Sequence, residues 1–400
     1  MFQMEKIVLQ GSVFGPIKCS VQMDTQINAK LENKKLRLSE DKSCKIHICK
    51  KAEECPQVLK VHENDMKNAS QVTYLGDVIC ENGTLDATIE QRGQRSEGII
   101  TQISSILSSI HLGSFHFDIA MVLRDSQFVN SVMTNSEIWH NVKLHHIQSL
   151  EKYDLSLLRK ILNAHSKTAT EAFFLELGKL PLRFVLSKRR LMYLWHIVHR
   201  DTDKIIWKIY ETQKIKCNKG DWYELLQIER MENNITQTDE EIASMSRDKF
   251  KNIVDSKVTS HAVYYLNELA EPHSKSDFIV DDKFERKSYF TDRRFTKEDV
   301  QLLFALRTRM TNCKVNFKRQ FGSNLKCRIC EEEDSEENED HVLNCTVVNG
   351  EETYDVQFTD VYGDADAQYK AVKVYKKMFR RRQIYLDMKE NLQTSNLPSD

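Results

Sequence analysis

Glycine and proline are scarce in this chain, at 12 and 5 of 400 residues. A sandwich or barrel needs many tight turns, and such turns draw on both residue types, so their shortage points to long helices. No run of 18 apolar residues occurs, which leaves no ordinary membrane-spanning helix and no membrane partner. Met1-Phe2-Gln3-Met4-Glu5-Lys6 lacks the basic start and apolar core of a secretion signal. Net charge is nearly absent as well, at −1. Whole-molecule electrostatics therefore do not advertise a nucleic-acid partner, and any such signal must be local. Ten cysteines are scattered without a small-domain framework, which reads as reduced thiols and an intracellular location. The sequon Asn82-Gly83-Thr84 then carries no information.

What is present is enough for real cores: 40% of residues are hydrophobic, over a length that allows two or three domains. The pattern predicts a mainly α protein with a small α+β part, in three consecutive blocks. Residues 1–93 mix short strands and turns, with alternation over Lys45-Ile46-His47-Ile48-Cys49 and a β-rich run from Val72 to Ile79 closed by an Asn82-Gly83 turn. Residues 94–231 are helical: Ile99, Ile100, Ile103, Ile106, Leu107 and Ile110 recur at helical spacing, as do Leu150, Tyr153, Leu157, Leu158, Ile161 and Leu162. After a polar gap from Glu232 to Glu241, residues 232–400 form a second helical block. Helices are expected there from about Arg247 to Leu269, from the N-cap Thr296 to Asn312, and from Asp364 to about Leu392.

Near the start, Gln10-Gly11-Ser12-Val13-Phe14-Gly15-Pro16 is followed by Leu36-Arg37-Leu38-Ser39-Glu40-Asp41-Lys42 and Tyr74-Leu75-Gly76-Asp77. In type and order these resemble successive palm motifs of reverse transcriptases. With the helical blocks that follow, residues 10 to 386 resemble the C-terminal part of a non-LTR retrotransposon reverse transcriptase: palm remnant, thumb and C-terminal zinc region. The resemblance implies that Gln10 and Gly11 belong to a loop seating the incoming nucleotide. It places Lys42 near that nucleotide's phosphates, and Tyr74, Leu75 and Gly76 in the hairpin gripping the primer end. Ser39 and Ser43 depart from the asparagine and threonine the family carries around that lysine.

The catalytic Asp-Asp hairpin is missing between these motifs. A palm needs a helix, a two-strand hairpin and a second helix there, roughly 35 residues at average element lengths. Only 19 residues separate Pro16 from Leu36, and none of the nine residues before Gln10 is an aspartate. Nucleotidyl transfer uses two metal ions, and magnesium wants convergent carboxylates. Magnesium is therefore not expected to bind as in an active polymerase, and Lys42 reads as a solvent-facing lysine. Phe278-Ile279-Val280-Asp281-Asp282 imitates the motif but lies far downstream without a partner aspartate, and reads as a solvated loop.

Lys179 to Arg200 contains no acidic residue and holds Lys179, Arg183, Lys188, Arg189 and Arg190, with Tyr193 and Trp195 interleaved. Cations on one helix face can neutralise phosphates, so RNA or RNA–DNA hybrid is the expected partner, gripped by its backbone. The competing reading is a core helix, with Phe184, Leu191, Leu194, Ile197 and Val198 inward and the cations solvated. A second basic run, Lys376 to Arg382, fits an import signal or a solvated helix face.

Cys327-x-x-Cys330 is followed after ten residues by His341-x-x-x-Cys345. A short Cys-x-x-Cys turn and a His/Cys pair one helical turn apart supply the four S/N donors that tetrahedral zinc prefers. Eight of the ten residues from Glu331 to Asp340 are acidic and would repel phosphates. That favours a structural zinc over a knuckle that reads nucleic acid. Three functions follow: a catalytically inactive reverse transcriptase-like protein keeping weak RNA or DNA backbone binding; a zinc-stabilised helical interaction module; or an incomplete gene product of an active RNA-directed DNA polymerase.

Overall fold

The computed structural model describes residues 44–46, 60–61, 64–65, 67–74, 76–109, 115–271, 284–332, 335–350 and 352–395. Gln10, Gly11, Lys42, Leu75 and the Phe278–Asp282 stretch lie outside the described residues. Among the described residues the chain is mainly helical, with three two-stranded sheets near its start. Strands β1 (Cys44–Lys45) and β4 (Lys67–Asn68) pair in parallel, while β2 (Lys60–Val61) and β3 (Asn64–Asp65) pair antiparallel. The β5–β6 hairpin (Gln71–Tyr74, Asp77–Cys80) pairs Tyr74 with Asp77. Gly76 follows Tyr74's turn at φ +91°, a backbone conformation that glycine reaches without steric cost.

Asp86 opens helix α1 (Asp86–Ser109), where its charge complements the positive end of the helix. Ile100, Ile103 and Leu107 are buried from it at helical spacing. Helices α2 (His116–Leu123), α3 (Leu144–Leu162), α4 (Thr170–Leu177) and α5 (Leu182–Val198) follow. Next come α6 (Ile205–Lys216), α7 (Trp222–Glu232), α8 (Asp239–Ala243) and α9 (Arg247–Ala270).

Helix α10 (Lys297–Arg307) is capped as its sequence predicts. The Thr296 hydroxyl accepts the Asp299 N–H, and the Asp299 carboxylate accepts the Thr296 N–H in return. It ends at Arg307, five residues before the expected Asn312. Arg309 turns left-handed at φ +51°, and the Thr311 hydroxyl bonds the buried Glu339 carboxylate at 2.5 Å. Helices α11 (Glu339–Asn344) and α12 (Ala365–Ser395) complete the order. Among the described residues, no helix is long and apolar enough to cross a membrane.

The chain forms two compact units that interleave in sequence, whereas the sequence reading runs through three consecutive blocks. One comprises Met1–Gly98, Val129–Tyr153 and Leu182–His261; the other comprises Ile99–Phe128, Asp154–Pro181 and Ala262–Asp400. The first buries Trp139, Phe184, Leu191, Leu194, Leu226 and Phe250. The second buries Ile103, Phe117, Leu157, Phe173, Phe304 and Tyr375.

Candidate metal centre

The Cys-x-x-Cys turn is shaped by its own backbone before any side chain acts. The Cys327 N–H donates to the Ser335 carbonyl at 2.8 Å, and the Glu331 N–H closes onto the Cys327 carbonyl at 3.2 Å. Glu331 then turns left-handed at φ +57° and leads the chain away. The other half is set by a helix start: the Asn338 side chain accepts the His341 N–H at 2.7 Å and caps α11. His341 thus sits in the first turn of α11, and Cys345 lies just past its end.

Four ligand atoms from Cys327, Cys330, His341 and Cys345 converge within 4.8 Å of one another, and this cluster can hold a metal ion. Cys330 Sγ stands 3.4 Å from His341 Nε2, close to the edge of about 3.5 Å that a tetrahedral zinc with its usual bond lengths would set. Cys327 and Cys345 are buried, and the other two ligands are half-buried. The neighbouring Cys345 and His341 side chains, with backbone N–H groups of the turn, draw the Cys327 thiol below its ordinary range. The Ile329 N–H adds a contact of 3.4 Å to the same sulfur. A metal ligand must be a thiolate, and this turn already favours one.

Two carboxylates of the acidic connection turn inward, while Glu331, Glu332, Glu336 and Asp340 stay exposed. Glu337 and Glu339 are fully buried. Glu337 accepts the Arg328 guanidinium at 2.5–3.0 Å, the Arg382 guanidinium, and the N–H groups of Lys314 and Arg328. Glu339 takes Arg309 at 3.2 Å and Asn316 at 2.7 Å. Burial would raise the Glu337 carboxyl, but Arg328 and Arg382 outweigh it and hold the group below its usual range. Charge pairing substitutes here for the apolar core that the segment lacks. Cys313 is buried nearby, outside the ligand set, its thiol pushed up to about 12 by burial.

The basic stretch on and before α5 is engaged with partners within its own fold. Lys179 meets Asp125 at 2.5 Å, Arg183 grips Glu151 at 2.7–3.0 Å, and Lys188 meets Asp255 at 2.5 Å. Arg189 donates to the Met133 carbonyl and to Asn130 Oδ1 at 2.5 and 2.9 Å. Arg190 is buried against Glu229 at 2.6 Å. In the second basic run, Lys376 pairs with Asp299, Lys377 and Arg381 with Glu352, and Met378 is buried.

Sequence spacing offered His145 and His146 no metal partner, yet folding brings Asp86 to them. His146 Nε2 stands 2.9 Å and His145 Nε2 3.9 Å from Asp86 Oδ1. The Lys143 N–H donates to His146 Nδ1 at 3.2 Å, so the ring proton of the neutral imidazole must sit on Nε2, where it donates to Asp86. Burial keeps His146 neutral, and its bond holds the Asp86 carboxyl below the ordinary range. The trio is a hydrogen-bonded pair with a neighbouring imidazole rather than a prepared metal site. Neither a protein-family model, nor a curated protein, nor a solved structure matches this chain.

Proposed function

We propose that the chain is a catalytically inactive, reverse transcriptase-like protein in which zinc, bound by Cys327, Cys330, His341 and Cys345, stabilises a helical interaction module. The convergence of these four donors is the observation that carries the zinc part of the reading. These four protein atoms would fill every position of a tetrahedral ion and leave none for substrate; closed sites of this kind are structural. The succession of palm-like motifs along the sequence supports the descent, and the missing Asp-Asp segment supports the loss of polymerisation.

A surviving grip on RNA–DNA hybrid is the second reading. It is favoured by the acid-free run from Lys179 to Arg200 and by the partial exposure of Lys179 and Lys188, which could exchange their carboxylate partners for phosphates.

Protein purified without added zinc should carry close to one zinc per chain and lose it on Cys330→Ser. Zinc that survives both Cys330→Ser and Cys345→Ser would disprove the ligand set. Primer extension with magnesium or manganese should stay at the no-enzyme level, and extension above it would return the chain to the active polymerases. Hybrid binding that weakens steeply with salt and on Lys188→Glu would favour the second reading.

A further inference from the structure

The Cys-x-x-Cys turn is held from outside by the last helix. Arg382 and Lys389 of α12 are seven residues apart, two turns along one helix face. The Arg382 side chain is buried and reaches Glu337, which is itself fully buried and grips Arg328 through both carboxylate oxygens. Arg328 lies inside the turn, between the two cysteines. Lys389 Nζ donates to the carbonyls of Arg328 and Ile329 at 2.8 and 3.3 Å and pairs with Glu331 at 2.6 Å.

The logic of these contacts is that of a metal turn. The N–H groups of Ile329 and Cys330 face the Cys327 sulfur, so the carbonyls of Arg328 and Ile329, across those trans peptides, face away from the ligands and need donors of their own. Three thiolates and a neutral imidazole around a divalent ion leave one net negative charge, which favours cations beside the turn. Lys389 answers both needs. The dependence runs in the other direction too. From Gln383 to Asn391 α12 buries no residue, and Ile384, Tyr385 and Met388 are exposed, so packing contributes little to holding this segment down.

We propose that Arg382 and Lys389 are positioning residues of the metal centre, and that the bound metal in turn fixes residues 383–391 of α12 against the Cys-x-x-Cys turn. This rests on the zinc reading above and adds a linkage between the metal and the end of the chain's last helix. Partners that orient a metal's ligands typically change affinity by about 10–100-fold when removed.

The test uses the full chain, with zinc titrated against a chromophoric chelator and amide exchange followed with and without zinc. Lys389→Met should weaken zinc binding by about tenfold or more, and Lys389→Arg should retain most of the wild-type affinity. Because Lys389 is half-exposed, its loss should leave the fold intact; Arg382→Met, which leaves Glu337 paired with Arg328, should weaken zinc binding likewise. Chelation should speed exchange at residues 383–391 while the amides of α5 keep their protection. Wild-type affinity in Lys389→Met, together with exchange at 383–391 that ignores zinc, would overturn the linkage even if the wild type binds zinc normally. A wild type that binds no zinc would remove both the linkage and the structural-zinc reading.

Discussion

A basic side chain serves as a phosphate contact only if the fold has not already committed its charge, and Arg190 is committed. It is 2% exposed, with its guanidinium 2.6 Å from Glu229 and 3.1 Å from the Trp139 carbonyl. Removing one member of a buried pair strands the other, at a cost of about 3–5 kcal/mol. Arg190→Ala should lose stability of that order in urea unfolding at pH 8. Lys188→Ala, whose pair with Asp255 is partly exposed, should lose no more than about 1 kcal/mol. Equal losses would show that burial does not set the difference. Glu229 adds a pH signature: burial pushes its carboxyl up to about 7, with Arg190 pulling the other way. A carboxyl raised in the folded state contributes stability that is complete below its unfolded value, near 4.5, and is lost as pH rises through about 7. Wild-type stability should therefore fall more between pH 5 and 8 than that of Glu229→Gln, and parallel curves would refute the shift. None of this pairing was legible in the sequence. Glu229 lies 39 residues from Arg190, and local periodicity carries no information about partners at that distance.

Helix starts were readable where a cap is written in adjacent residues. Thr296 with Asp299 announces α10, and the apolar spacing of α3 delivers Leu150, Leu157, Leu158 and Ile161 to the core. Ends set by tertiary contact were not readable, as α10 shows by stopping where Thr311 turns to Glu339. Gly178 is an end that the structure marks clearly. It closes α4 at φ +57°, and a Cβ there would stand 2.5 Å from the Arg286 backbone nitrogen and 2.7 Å from the Glu285 carbonyl carbon. Backbone cannot swing aside, and the same segment is tied in by the Lys287 N–H on the Glu176 carbonyl at 3.0 Å. Gly178→Ala should therefore cost about 2 kcal/mol or more, above the roughly 1 kcal/mol of the left-handed penalty alone. Urea unfolding of the variant checks this, and a loss of about 1 kcal/mol or less would mean that the chain at Glu285–Arg286 yields.

For the molecule as a whole, what the sequence disclosed depended on how far apart the parts of a site lie. The four metal-ligand candidates fall between residues 327 and 345, so their spacing was readable; Asp86 and His146 are 60 residues apart, and only folding joins them. The carboxylates that close the metal loop were visible only as an acidic run, because composition cannot say that Glu337 and Glu339 turn inward onto arginines. Such a loop, low in apolar residues and held by charge pairs, should depend on its ion, since metal affinity that exists only in the folded state is folding free energy. At free zinc about 1,000 times the dissociation constant, that linkage is worth about 4 kcal/mol. At roughly 2–4 °C per kcal/mol for a large domain, zinc-loaded protein should melt about 8–16 °C above chelated protein. Magnesium, which prefers oxygen ligands, should not substitute at equal concentration. In Cys330→Ser the chelator should make no further difference, which separates loss of the bound ion from chelator effects elsewhere. An unchanged melting temperature on chelating the wild type would mean that the buried ion pairs alone hold this loop.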